Sequence, residues 1–167
     1  ALSSAASDVY KRQAENLYIK QAEVHGMSQR GGDVQSNLRL SDQPINSDLI
    51  AAGNADVIIS LEPMEALRYL PYLAQEGWII TSSTPFVNIP NYPDENRLKA
   101  ELEKLPHVVM LDVDALAKEH NLPKSANVIL LGAAAKALQI IGYEDLEKSI
   151  ARVFAGKGQA VVEMNIK

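Results

Sequence analysis

Within "EVHGMSQRGGDVQSNLRL", residues 23–40, an acid, an imidazole and a guanidinium (Glu23, His25 and Arg30) are threaded through three glycines. Gly26, Gly31 and Gly32 permit positive φ and close approach of another chain or a ligand. Arg30 carries a planar fork of donors suited to carboxylate or phosphate, and His25 titrates near neutrality. Met27, Ser28 and Gln29 complete the loop. Three uses fit this pattern: a plain tight connection between strands, an anion-binding loop, or a contact with another subunit. A second pair of ionisable groups, Glu62 and Glu65 in "LEPMEAL", follows a strand-like run. That places it near the C-terminal ends of strands, where open α/β sheets bind ligands. Capping of the helix that follows is the plainer use of such a pair.

Other chemistries lack their residues. There is no G-x-S-x-G elbow, and His25, His107 and His120 are too scattered for a zinc site. His107 opens a strand and His120 closes a helix, which reads as structural. "AGKGQA" (155–160) lacks the first glycine of a phosphate loop and has Gly158 where a hydroxyl would bind magnesium. The chain has no cysteine, which removes disulfides, thiolate nucleophiles and cysteine-ligated iron–sulfur clusters. A net charge of −5 and a pI near 5.2 give no basic footprint for nucleic acid. No apolar run approaches the ~20 residues that span a bilayer. The expectation is a cytoplasmic protein with neither nucleic acid nor membrane as partner.

The elements that must position these residues alternate between strand and helix. With 167 residues, 47% of them hydrophobic, one domain with a sizeable core is expected. Strands are expected over 17–24, 33–40, 55–61, 77–83 and 107–113, the later three β-branched and buried on both faces. Helices are expected over 64–73, ended or kinked by Pro71, and over 94–105, capped by Asp94. Two more are expected over 125–138, nearly all apolar and therefore central, and over 143–154, with Leu146, Ile150 and Val153 inward. Strands separated by helices imply an α/β fold, a three-layer Rossmann-like sandwich with a mostly parallel sheet. Its core is expected to include Val57, Ile58, Ile59, Ile79, Ile80, Val108, Val109, Leu130 and Leu131. Residues 1–13, with "DVYKRQ" like a translated sequencing adapter, read as a non-native leader. Residues 14–167 then form the domain, expected to be truncated at both ends.

"AEVHGMSQRGGDVQSNLRL", "ADVIISLEPMEALRYLPYL" and "NVILLGAAAKAL" occur in that order. From about residue 16 to the end the chain resembles the gamma-type domain of 2-oxoacid:ferredoxin oxidoreductases, in particular the indolepyruvate branch. That family opens with a strand and a G-V-G-G-Q-G loop, which this sequence lacks. The resemblance implies oxidative decarboxylation of a 2-oxoacid, typically an arylpyruvate, to an acyl-coenzyme A with electrons passed to ferredoxin. It implies no cofactor on this chain alone. Thiamine diphosphate, magnesium and iron–sulfur clusters are expected on a large partner subunit, and ferredoxin and coenzyme A are met through the complex. No G-D-G…N-N diphosphate anchor is present here, in keeping with that division. The resemblance further implies that Glu23, His25 and Gly26 to Gly32 form a loop facing the partner or its coenzyme A channel, with Arg30 as anion contact. Glu62, Glu65 and Asn127 are secondary candidates; no catalytic or metal-binding residue is assigned. A self-contained α/β nucleotide-binding enzyme and a non-catalytic interaction module remain the alternatives.

Overall fold

The computed structural model describes residues 18–25, 34–87, 89–121, 125–138, 143–157, 162, 163 and 166. In chain order these form β1 (Tyr18–His25), β2 (Val34–Ser41), β3 (Ala55–Ser60), α1 (Pro63–Arg68), β4 (Leu73–Ser82), α2 (Glu95–Glu103), β5 (Val108–Leu111), α3 (Val113–Glu119), α4 (Ala126–Leu138) and α5 (Tyr143–Phe154). Short 3-10 turns cover Leu70–Tyr72 and Ala155–Lys157.

The expected parallel sheet is present as three strands in the order β3-β4-β5. Ile58 pairs with Ile79 and Ile59 with Ile80, and Ile79 and Ile80 pair in turn with Val108 and Val109. Because successive side chains in a strand point to opposite faces, these apolar runs cover both. Ile58, Ile79, Val108 and Met110 pack with Ala66 of α1 and Leu102 of α2. Val57, Ile59, Ile80, Val109 and Leu111 pack with Val113 of α3 and with Leu130 and Ala134 of α4. Helices on both faces make the three layers. Of the expected core, Ile79, Ile80, Leu130 and Leu131 are buried. Val57, Ile58, Ile59, Val108 and Val109 are only half-buried, because they lie on the outer strands and β4 takes the centre.

Strands β1 and β2 do not join this sheet. They form a separate antiparallel pair, with Ile19 opposite Leu40 and Gln21 opposite Leu38. One face of the pair lays Ile19, Leu38 and Leu40 against Leu131 and Ala135 of α4 and Ile150 of α5. The other face is covered by segment 47–50 through polar contacts: Lys20 to Asp48 at 2.9 Å, Arg39 to the Ser47 carbonyl at 2.9 Å, and the Ile50 amide to Asn37. Helix α4 therefore packs on the sheet with one side and on the hairpin with the other, which is why its sequence is apolar almost all round. Ile150 points inward as expected; the side chains of Leu146 and Val153 lie outside the described residues.

Two elements differ from the expectation, and one helix is additional. The helix over 64–73 stops at Arg68, because Pro71 has no N–H to continue the ladder; a 3-10 turn follows, and Leu73 already belongs to β4. The strand over 107–113 ends at Leu111. The Asp112 side chain then accepts from the Ala115 amide and starts α3, which the apolar run "VVMLDV" had masked.

Candidate functional site

The C-terminal edge of the parallel sheet gathers the polar residues that follow each strand. After β3, the Ser60 hydroxyl donates to the Glu62 carbonyl at 2.7 Å and accepts from the Glu62 amide at 3.2 Å. That tight turn sets Glu62 as the N-cap of α1, where its Oε2 accepts from the Glu65 amide at 2.9 Å. The other carboxylate oxygen, Oε1, accepts from the phenol of Tyr92, which lies in the loop between β4 and α2. Burial first, then the bond to Glu62, then the charges of Glu62, Glu95 and Glu65 hold the Tyr92 phenol well above the ordinary tyrosine range. Tyr92 is therefore a donor at any physiological pH.

After β4, the Ser82 hydroxyl accepts from the Thr84 amide at 3.1 Å, and the Thr84 hydroxyl reaches Oδ1 of Asp112, beyond β5, at 3.4 Å. The same Asp112 oxygen accepts from the Ala115 amide at 2.8 Å. The strand ends are thus joined to one another through caps and loop contacts. Glu65 is paired with Arg68 at 3.3 Å. Glu62 and Glu65, expected as secondary candidates, are brought together as a capping pair. Asn127 lies in the first turn of α4, and its Oδ1 accepts from the adjacent Val128 amide.

A shallow hollow, open to solvent and with a cavity volume of only about 10 Å³, lies beside this edge between Pro63, Ser83, Pro85, Glu95, Lys99 and Met110. It is far smaller than the ~300–1,000 Å³ of small-molecule sites. Among the described residues no three His, Cys, Asp or Glu side chains are placed to hold a metal ion. His107 leans on Trp78, ring centroids 4.9 Å apart, and His120 is the C-cap of α3.

The primary candidate loop, Gly26 to Gly32 with Met27, Ser28, Gln29 and Arg30, lies outside the described residues. Glu23 and His25 belong to β1, opposite Ser36 and Val34 at the end of the hairpin that leads into this loop. Sequence reasoning missed Tyr92, Thr84 and Asp112. An N-cap signature marks Asp112, whereas nothing in "NYP" announces that Tyr92 reaches a carboxylate 30 residues away.

The profile of the pyruvate ferredoxin/flavodoxin oxidoreductase family matches residues 11–167. The chain belongs to that family. It is 31% identical over 159 residues to indolepyruvate oxidoreductase subunit IorB of Archaeoglobus fulgidus, a match covering 90% of this chain and 77% of that protein. The fold is also that of solved family members. Pyruvate oxidoreductase subunit PORC from Thermotoga maritima superimposes with a TM-score of 0.70 at 17% identity, over 99% of this chain and 82% of that one. The 2-oxoglutarate:ferredoxin oxidoreductase from Magnetococcus marinus, solved with 2-oxoglutarate, coenzyme A and succinyl-CoA, gives 0.66 at 16% identity. There the match covers 99% of this chain but only 26% of the other, so the same fold forms one part of a longer polypeptide.

Proposed function

We propose that this chain is the small, gamma-type subunit of a 2-oxoacid:ferredoxin oxidoreductase that acts on an indolepyruvate-like arylpyruvate and is inert without its partner. The observation that carries this reading is the similarity to an indolepyruvate oxidoreductase subunit across nine-tenths of the chain, inside a family match over residues 11–167. In the reaction, the bond between the carboxylate and the 2-oxo carbon breaks and carbon dioxide leaves. The acyl carbon forms a thioester with coenzyme A, the thiol proton is released, and two electrons reduce ferredoxin. When bound, thiamine diphosphate with its magnesium supplies carbanion stabilisation and iron–sulfur clusters supply the electron path.

The described residues of this chain do not fit those groups. It has no cysteine to ligate a cluster, and Glu62 and Asp112 at the sheet edge are engaged as helix caps. We therefore assign the cofactors to a large partner subunit and derive no step through them here. To this chain we assign the loop from Glu23 and His25 through Gly32, facing the partner or the coenzyme A channel, with Arg30 as its anion contact. A hairpin held by Ile19, Leu38 and Leu40 against α4 and α5 supports that role, because it gives the loop a firm base. Ferredoxin and coenzyme A are met through the complex, in the cytoplasm. A self-contained nucleotide-binding enzyme fits less well, since among the described residues the hollow at the sheet edge has a volume of only about 10 Å³.

The test compares substrates on the reconstituted complex. Indolepyruvate or phenylpyruvate should drive coenzyme A-dependent ferredoxin reduction at least tenfold faster than pyruvate or 2-oxoglutarate at equal concentration. Equal or inverted rates would overturn the arylpyruvate assignment.

A further inference from the structure

We infer that the loop between β4 and α2, through Phe86, Val87 and Ile89, is the surface by which this chain docks on its larger partner subunit. The inference rests on the reading above that such a partner exists. These side chains are 71%, 60% and 42% exposed. Single exposed apolar residues are ordinary, but clusters of large ones mark interaction sites. Here three fall within four residues. A fourth, Leu61, 49% exposed, follows the adjacent strand at the same edge of the sheet.

The loop is fixed at both ends. Thr84 is tied to Ser82 and Asp112, and Tyr92 is tied to Glu62. An apolar segment presented on a fixed loop loses less conformational entropy on docking than a mobile one. The residues that anchor this loop and those at the start of α2 carry more acid than base: Glu62, Asp112, Asp94 and Glu95 against Arg97 and Lys99. That sign opposes an anionic membrane or nucleic acid. It complements a protein face with an apolar recess edged by lysine and arginine. Such an occupant accords with the Magnetococcus marinus chain, in which this fold is about a quarter of a longer polypeptide.

The test uses the full chain and the large cofactor-bearing subunit, with affinity measured by calorimetry and each variant's melting temperature measured alone. Phe86→Ser should weaken association about tenfold, and Phe86→Ser, Val87→Ser and Ile89→Ser together more, with melting unchanged. Leu49→Ser, 53% exposed on the segment that covers the hairpin, should bind as the parent does. Unchanged affinity of the triple variant, with the parent binding, would overturn the docking surface and leave the subunit reading intact. Failure of the parent to bind would overturn both. A homodimer lost in the triple variant while the hetero-complex persists would assign the loop to a second copy instead, and also overturn the inference.

Discussion

The two oxygens of the Glu62 carboxylate face different parts of the chain: Oε2 accepts from the Glu65 amide at the start of α1, and Oε1 accepts from the phenol of Tyr92, 30 residues away. One side chain thus caps a helix and anchors a long loop. A carboxylate that accepts from a phenol holds the proton on the phenol.

The pH consequence follows in sign. The folded state raises the Tyr92 pKa, through burial first and then through Glu62. Its contribution to stability is complete below the unfolded tyrosine value of about 10 and is lost as pH rises beyond that. Spectrophotometric titration should find one of the six tyrosines ionising last, and Tyr92→Phe should delete that step and flatten the alkaline loss of stability. Six tyrosines ionising together near their ordinary range would contradict the bond.

Gly77 cannot take a side chain. A Cβ there would lie 2.8 Å from the Ala55 carbonyl and 2.7 Å from Leu73 Cδ1, at the point where the β3–β4 register is irregular between Ala55 and Val57. A backbone oxygen yields less readily than a flexible side chain. Gly77→Ala should lower stability by about 1–3 kcal/mol in denaturant melts. Gly132, with nothing near its Cβ position, should accept alanine at no loss. Equal behaviour of the two variants would refute the packing argument.

Asp112 serves α3 as N-cap and the β4 loop as acceptor from Thr84. Asp112→Ala should therefore cost about 1–2 kcal/mol, the upper part of the range for a lost cap. Asp94→Ala, which removes only the cap on α2, should cost less. The same chemical melts rank them, and the reverse order would show that the Thr84 contact is without weight.

The sheet was legible because its signal is local. "VII", "WIIT" and "VVML" are β-branched or apolar throughout, as strands with helices on both faces must be. The all-round apolar composition of α4 likewise announced a helix packed on two sides. What escaped depended on contacts distant in sequence or on a competing pattern. β1 and β2 read correctly as strands, yet nothing in their alternation tells a hairpin from two members of the main sheet. Helix α3 was hidden because an apolar strand runs straight into its cap. At the candidate site, the pairing of Glu62 with Glu65 could be read from their spacing, but Tyr92 could not, since its partner is fixed only by the fold. The glycine loop was singled out from residue types, and its assignment rests on solution experiments.

Arg30 provides such an experiment. If its guanidinium meets a phosphate or carboxylate of coenzyme A, the charge-assisted bonds contribute roughly 1.5–3 kcal/mol, or about 10- to 150-fold in affinity. Arg30→Ala should raise the KM for coenzyme A of the reconstituted complex by that factor. Arg30→Lys should restore part of it, supplying charge without the two-pronged geometry. The subunit's own melting should move by no more than ~0.5 kcal/mol in either variant. An unchanged KM with alanine would reduce the loop to a turn, and a large melting loss would make Arg30 structural.

The central claim is that this chain is an obligatory but cofactor-free part of a larger oxidoreductase. The most direct measurement is arylpyruvate- and coenzyme A-dependent ferredoxin reduction by the large subunit alone, by this chain alone, and by the two mixed at increasing ratio. The account predicts negligible rates for either alone and a rate that rises to a plateau at a fixed stoichiometry, with all thiamine diphosphate and iron recovered on the large subunit. Full activity of the large subunit alone, turnover by this chain alone, or stoichiometric iron on this chain would contradict it.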